Sequence, residues 1–110
     1  MEDKLLQIIN HYGVMHQLKY FQSEVFELNE AIITYEFASA DNVNLEVLEE
    51  IKKWDLYKFK EHIVEEISDV LVMLKQFQYK YGITEEEVEE MMLFKSGRQL
   101  ERIKNENNKQ

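Results

Sequence analysis

The chain has no cysteine, which rules out disulfides, thiolate zinc sites and cysteine nucleophiles together. It has no proline, and its only glycines are at positions 13, 82 and 97. A β-sandwich or barrel needs many tight turns, and tight turns draw on those two residue types. Long apolar runs are missing too, so no segment reads as a bilayer span. The opening "MEDKLLQIIN" lacks a basic start followed by a long apolar stretch. No secretory signal is therefore expected, and a cytoplasmic protein is. Basic residues are in deficit: 13 Lys and Arg stand against 22 Asp and Glu, a formal charge of −9. That balance argues against duplex nucleic acid as a partner.

What remains is a sequence of 110 residues that is 45% hydrophobic. It reads as a single all-α domain over 1–110, with a polar tail predicted to fray from about 104. Apolar periodicity predicts helices over about 2–12, 14–37 and 56–81, and a further one starting after Thr84. The predicted inward stripes are Leu5, Ile8 and Ile9, then Leu18, Phe21, Val25, Leu28 and Ile32, then Ile63, Ile67, Val70, Leu74 and Phe77. Gly13 and Gly82 are placed to end helices, with Ile83 as the hydrophobic partner of a Schellman ending. "SADNVN" reads as a loop, and "LEVLEEIKKW" as a short separate helix. Thr84 and Glu87 form a capping box. The acids of "TEEEVEE" are explained by the helix dipole without invoking a metal.

Two acid pairs do need a further explanation. Glu66 and Asp69 lie beside the apolar stripe of their helix, not opposite it, and Glu24 and Glu27 repeat the arrangement on the second helix. Solvated faces account for most Glu-x-x-Glu spacings. Two such pairs bordering apolar stripes, on helices able to pack antiparallel, can converge, and converging carboxylates shift pKa or recruit a cation. Oxygen ligands without Cys or His suit Mg²⁺ or Mn²⁺. On the last helix the side begun by Val88 and Met91 continues as Lys95, Arg98 and Arg102. This basic stripe suits a polyphosphate held over the acids, or a solvated helix end. Gly97 sits within it.

The blocks "QLKYFQSEVFELNEAI", "HIVEEISDVLVMLKQF" and "FKSGRQLERI", in this order, resemble the MazG nucleotide pyrophosphohydrolases of the all-α NTP pyrophosphatase superfamily. The resemblance runs over about residues 5–103. Its motifs are Glu-x-x-Glu at Glu24 and Glu27, and Glu-x-x-Asp at Glu66 and Asp69. Ser23 stands where many members carry a first glutamate, while the expected ligand position, Glu24, is kept. The resemblance implies an antiparallel helical bundle whose core is completed by dimerisation, as a homodimer or tetramer. It implies Mg²⁺-dependent hydrolysis of nucleoside triphosphates to monophosphate and pyrophosphate. Glu24, Glu27, Glu66 and Asp69 would hold the metal, and Lys95, Arg98 and Arg102 the phosphates.

Gln17, seven residues before Glu24 and on its face, is a candidate contact to base or sugar. His62 precedes Glu66 by one turn and reads as a helix-surface residue or as a neighbour of the ligands. His11 and His16 have no partner pattern. Trp54 and the other aromatics read as core or interface residues, or as stacking partners for a base. A di-iron bundle would need Glu-x-x-His pairs, and the sequence has none. The rival reading is a non-catalytic helical interaction module.

Overall fold

The computed structural model describes the backbone over residues 1–39 and 46–108, and side chains over 1–39 and 56–108. The described residues form four helices and no strand: α1 (Glu2–Tyr12), α2 (Val14–Ser39), α3 (Glu46–Lys80) and α4 (Glu85–Asn108). Among them no helix is long and apolar enough to cross a membrane. Ser39, read as the start of a loop, still belongs to α2, while the rest of "SADNVN" and the side chain of Trp54 lie outside the described residues.

Helix ends follow the local sequence closely. Gly82 takes φ 66°. The Ile83 and Gly82 N–H groups donate to the carbonyls of Gln78 and Tyr79 at 2.9 and 3.1 Å, the paired bonds of a Schellman ending. Two residues on, the Thr84 N–H donates to Glu87 Oε2 at 2.8 Å, and the Glu87 N–H to Thr84 Oγ1 at 3.1 Å. This is the expected capping box.

Gly13 departs from the expected left-handed cap, with φ 89° and ψ 154°. The cause is that it serves two helices at once. Its N–H closes α1 on the Ile9 carbonyl at 2.8 Å, and its own carbonyl accepts from the Gln17 N–H at 3.1 Å, opening α2. That backbone region is essentially reserved for glycine. Gly13→Ala is expected to cost about 1–3 kcal/mol of stability. Gly97 instead lies inside α4, with open space around it. There Gly97→Ala is expected to stabilise by about 1 kcal/mol, from helix propensity. Thermal melts of the two variants should therefore move in opposite directions.

Two further boundaries differ from the sequence reading. Residues 46–55 are continuous with α3, giving one helix of 35 residues. No glycine or proline lies between 14 and 81 to break it. Helix α4 also runs on to Asn108, through the stretch predicted to fray, and it continues unbroken through Gly97.

The buried seam is not the one that apolar periodicity predicts. On α2 the buried residues are Gln17, Glu24 and Ala31, spaced by seven. On α3 they include Glu66, Met73 and Gln76. Leu18, Val25, Ile32, Ile67 and Leu74 stay exposed, as does Ile8 of α1. The apolar core among the described residues is Leu5, Ile9, Ala31 and Met73. Across the α2–α3 seam Gln17 meets Gln76, and Phe21 packs edge-on to Phe77 with ring centres 5.9 Å apart. Helices α1, α2 and α3 all pack on one another, while among the described residues α4 packs on none of them. It joins them at its start, where Lys75 Nζ and the Tyr79 hydroxyl reach Glu85 Oε1 at 2.7 and 3.1 Å. The radius of gyration is 19.1 Å, whereas a compact chain of this length would have about 13 Å.

Candidate metal centre

The acids sit midway along the α2–α3 seam. Glu24 projects from α2, and Glu66 and Asp69 from α3. One carboxylate oxygen of each lies within 4.8 Å of the others. Glu24 and Glu66 are buried and Asp69 is exposed, so the cluster opens to solvent on the Asp69 side. Glu27 stands next to Glu66 at the exposed rim. Three of the four sequence candidates thus converge, with the fourth alongside.

Burial pushes the Glu24 carboxyl above the usual range, and the charges of Glu27, Asp69 and Glu66 add to the effect. The Tyr20 hydroxyl, one turn earlier, acts the other way as a donor toward the carboxylate, and its own pKa is raised in return. Glu66 is likewise pushed up, first by burial and then by Glu27. His62 Nε2, 3.8 Å from Glu66 Oε1, opposes that shift. His62 thus borders a candidate ligand, although it also reaches Glu65 at 3.9 Å on the helix surface.

Glu24 Oε2 and Glu66 Oε2 are both buried and have no hydrogen-bond partner among the described residues. An unpaired buried acceptor is costly, and a charged one more so. Two of them, on different helices and aimed into one cluster, fit a hard cation as the missing partner.

The remaining candidates are placed as follows. Gln17 is buried along the same seam, and it lines a groove of about 560 Å³ that reaches Asp69. The sequence reading missed Gln76, Tyr20 and His16, which line the same groove. A signal for Gln76 was available: it follows Asp69 by seven residues, just as Gln17 precedes Glu24 by seven. Lys95, Arg98 and Arg102 are exposed on α4, and because that helix packs on no other, their own chain does not bring them to the acids. Arg98 lies over the Phe94 ring at 5.7 Å.

No family model matches the chain, and no curated protein or solved structure matches it.

Proposed function

We propose that the protein is a MazG-like, Mg²⁺-dependent nucleoside triphosphate pyrophosphohydrolase of the cytoplasm, acting as a homodimer or a higher assembly of dimers. The observation that carries this reading is the pair of buried, unpartnered carboxylate oxygens on Glu24 and Glu66, converging with Asp69. In this scheme α2 and α3 pack antiparallel, which is how Glu24 comes to face both acids of α3.

Glu24, Glu66 and Asp69 hold the cation, with Glu27 beside Glu66 as the fourth carboxylate. Bound Mg²⁺ or Mn²⁺ would neutralise phosphate oxygens and lower the pKa of a water for attack at the α-phosphorus. The side chains supply fixed negative charge at one place, with buried Met73 lining the groove alongside Asp69. Opening on the Asp69 side gives the triphosphate its approach.

The dimer is supported by what the chain leaves uncovered. The core of one chain is small, and apolar residues of α2, α3 and α4 face solvent. Small domains bury too little surface to dispense with such faces. A second chain is also the natural route by which the basic stripe reaches a set of acids.

The test is release of pyrophosphate from nucleoside triphosphates with Mg²⁺ or Mn²⁺, and its loss on chelation. Metal binding without turnover would favour the non-catalytic module. The stripe has its own test. Arg98→Ala should lower kcat/KM on the order of tenfold to a hundredfold, as expected for a lost charge-assisted hydrogen bond. The loss should be equal for every base. Rates close to wild type would leave the stripe in solvent.

A further inference from the structure

Two amides meet in the buried seam beside the acids. Gln17 and Gln76 are only 4% and 2% exposed, and the Gln17 Nε2–H donates to Gln76 Oε1 at 2.9 Å. His16 Nδ1 lies 2.8 Å from Gln17 Oε1, so a proton on that nitrogen fixes the other end of the amide. Gln76 Nε2 donates only to Met73 Sδ, at 3.6 Å, and a thioether is a weak acceptor. Burying two amides is costly where a leucine would serve packing better. The arrangement also leaves hydrogen-bonding capacity unspent. Each amide uses one N–H and one oxygen lone pair at most, and each keeps a second of one or both.

That spare capacity faces the groove of about 560 Å³, whose walls include Ile8, Tyr12, Tyr20 and Val72, and whose far end is Asp69. The volume is that of a small-molecule site. Tyr12 and His16 line the groove with their rings stacked on each other at 4.9 Å and 15°, a pair whose outer ring face is left as a flat ledge. A flat aromatic ledge and an amide offering a donor beside an acceptor are complementary to a nucleobase, which has a π-face and an edge of alternating donors and acceptors.

We propose that this groove holds the nucleobase of the substrate, that Gln17 reads the base edge, and that Gln76 and His16 are positioning residues which hold the Gln17 amide in one orientation. This rests on the phosphohydrolase reading for the phosphates, which then lie at the acids, Asp69 belonging to both sites. Holding the amide is what creates selectivity. A free amide turns by 180° and exchanges donor for acceptor, so it accepts either of two opposite base edges. A fixed one leaves the wrong edge unpaired, a penalty that corresponds to about tenfold to a hundredfold.

The experiment compares kcat/KM for four nucleoside triphosphates among wild type, Gln17→Met and Gln76→Met, whose thioethers keep volume but cannot hold the amide. The wild type should separate its best and worst bases by at least about tenfold. Both variants should flatten that ratio, and Gln76→Met should do so through KM, with kcat for the best base kept within a few-fold. In case either core variant fails to fold, Val72→Trp fills the groove from a position that is 40% exposed, and should raise KM for every nucleotide without lowering the melting temperature. NMR titration of metal-free wild type and Gln17→Met with the four nucleoside monophosphates reads base binding apart from turnover. A Gln17-dependent base preference without hydrolysis would support the groove and sink the pyrophosphohydrolase reading. Hydrolysis at equal rates for all bases, unmoved by these substitutions, would overturn the groove and leave that reading intact.

Discussion

Glu66→Gln is expected to abolish hydrolysis, with kcat/KM falling by more than about a hundredfold, since outer-shell partners of a metal alone commonly cost tenfold to a hundredfold. Asp69→Asn should behave alike. Loss of activity from unfolding is distinguished by stability, because the metal-free variant should melt no lower than the metal-free wild type. The sign follows from proton linkage. Burial raises the folded-state pKa of Glu66 and Glu24 above the ordinary carboxylate value. Between that ordinary value and the raised one, the folded chain binds more protons than the unfolded chain. Stability of the metal-free protein therefore falls as pH rises through that interval, and the loss is complete above it. Glutamine at position 66 has no such dependence. The melting temperatures of variant and wild type, both in chelator, should lie close together near pH 4 and separate as pH rises, with the variant above. Activity within a few-fold of wild type in both variants would refute the metal centre.

Phe94→Asp is expected to convert a dimer into monomers and to remove most activity with it. Helix α4 has no buried residue, and Met91, Met92, Leu93 and Phe94 are all more than half exposed. Leu100 and Ile103 are exposed further along it. Fully burying a side chain such as Phe contributes about 1.5–3 kcal/mol, and a two-fold interface counts each residue twice. Aspartate there would replace that gain with a desolvated, unpaired charge. The dissociation constant should rise on the order of a thousandfold or more, which sedimentation velocity at micromolar protein would register. Circular dichroism should lose no more than the share of α4, because Phe94 is 64% exposed in its own chain and packs into no core there. A wild type that sediments as a monomer, or a variant that remains dimeric, would remove the argument.

The legible parts of this chain were those decided within a few residues. The Gly82 ending and the Thr84–Glu87 box are local hydrogen-bond problems, and their solutions are written in four or five consecutive side chains. The acids were legible because carboxylates beside an apolar stripe are a conflict visible in one dimension. The buried seam was not. Periodicity weighs apolar residues and so chose Leu18, Val25 and Ile32, whereas the fold turns Gln17, Glu24 and Ala31 inward. Which of two adjacent faces a helix buries depends on the helix it meets, and for α2 that is a polar strip of α3. The division of α3 near residue 55 failed for the opposite reason: it assumed a break where no residue makes one. The distance of Lys95, Arg98 and Arg102 from the acids was hidden as well, because the elbow at Gly82 sets where α4 points, and helical spacing carries no information about direction after a turn.

Helix α4, tethered at its first turn and packed on no other helix among the described residues, has a consequence for how the protein behaves as its abundance changes. An isolated helix is held mainly by short-range bonds, and tertiary burial ordinarily supplies the rest. In the proposed dimer that burial would come from the second chain, so this part of the folding free energy would follow mass action. The melting temperature is then a function of concentration. Dilution of such a dimer would loosen α4 first, while the seam that carries Glu24, Glu66 and Asp69 belongs to a single chain and would persist. The acids would remain assembled in dilute protein that has already lost its outer arm, so binding of a cation and turnover of a substrate would fail at different concentrations.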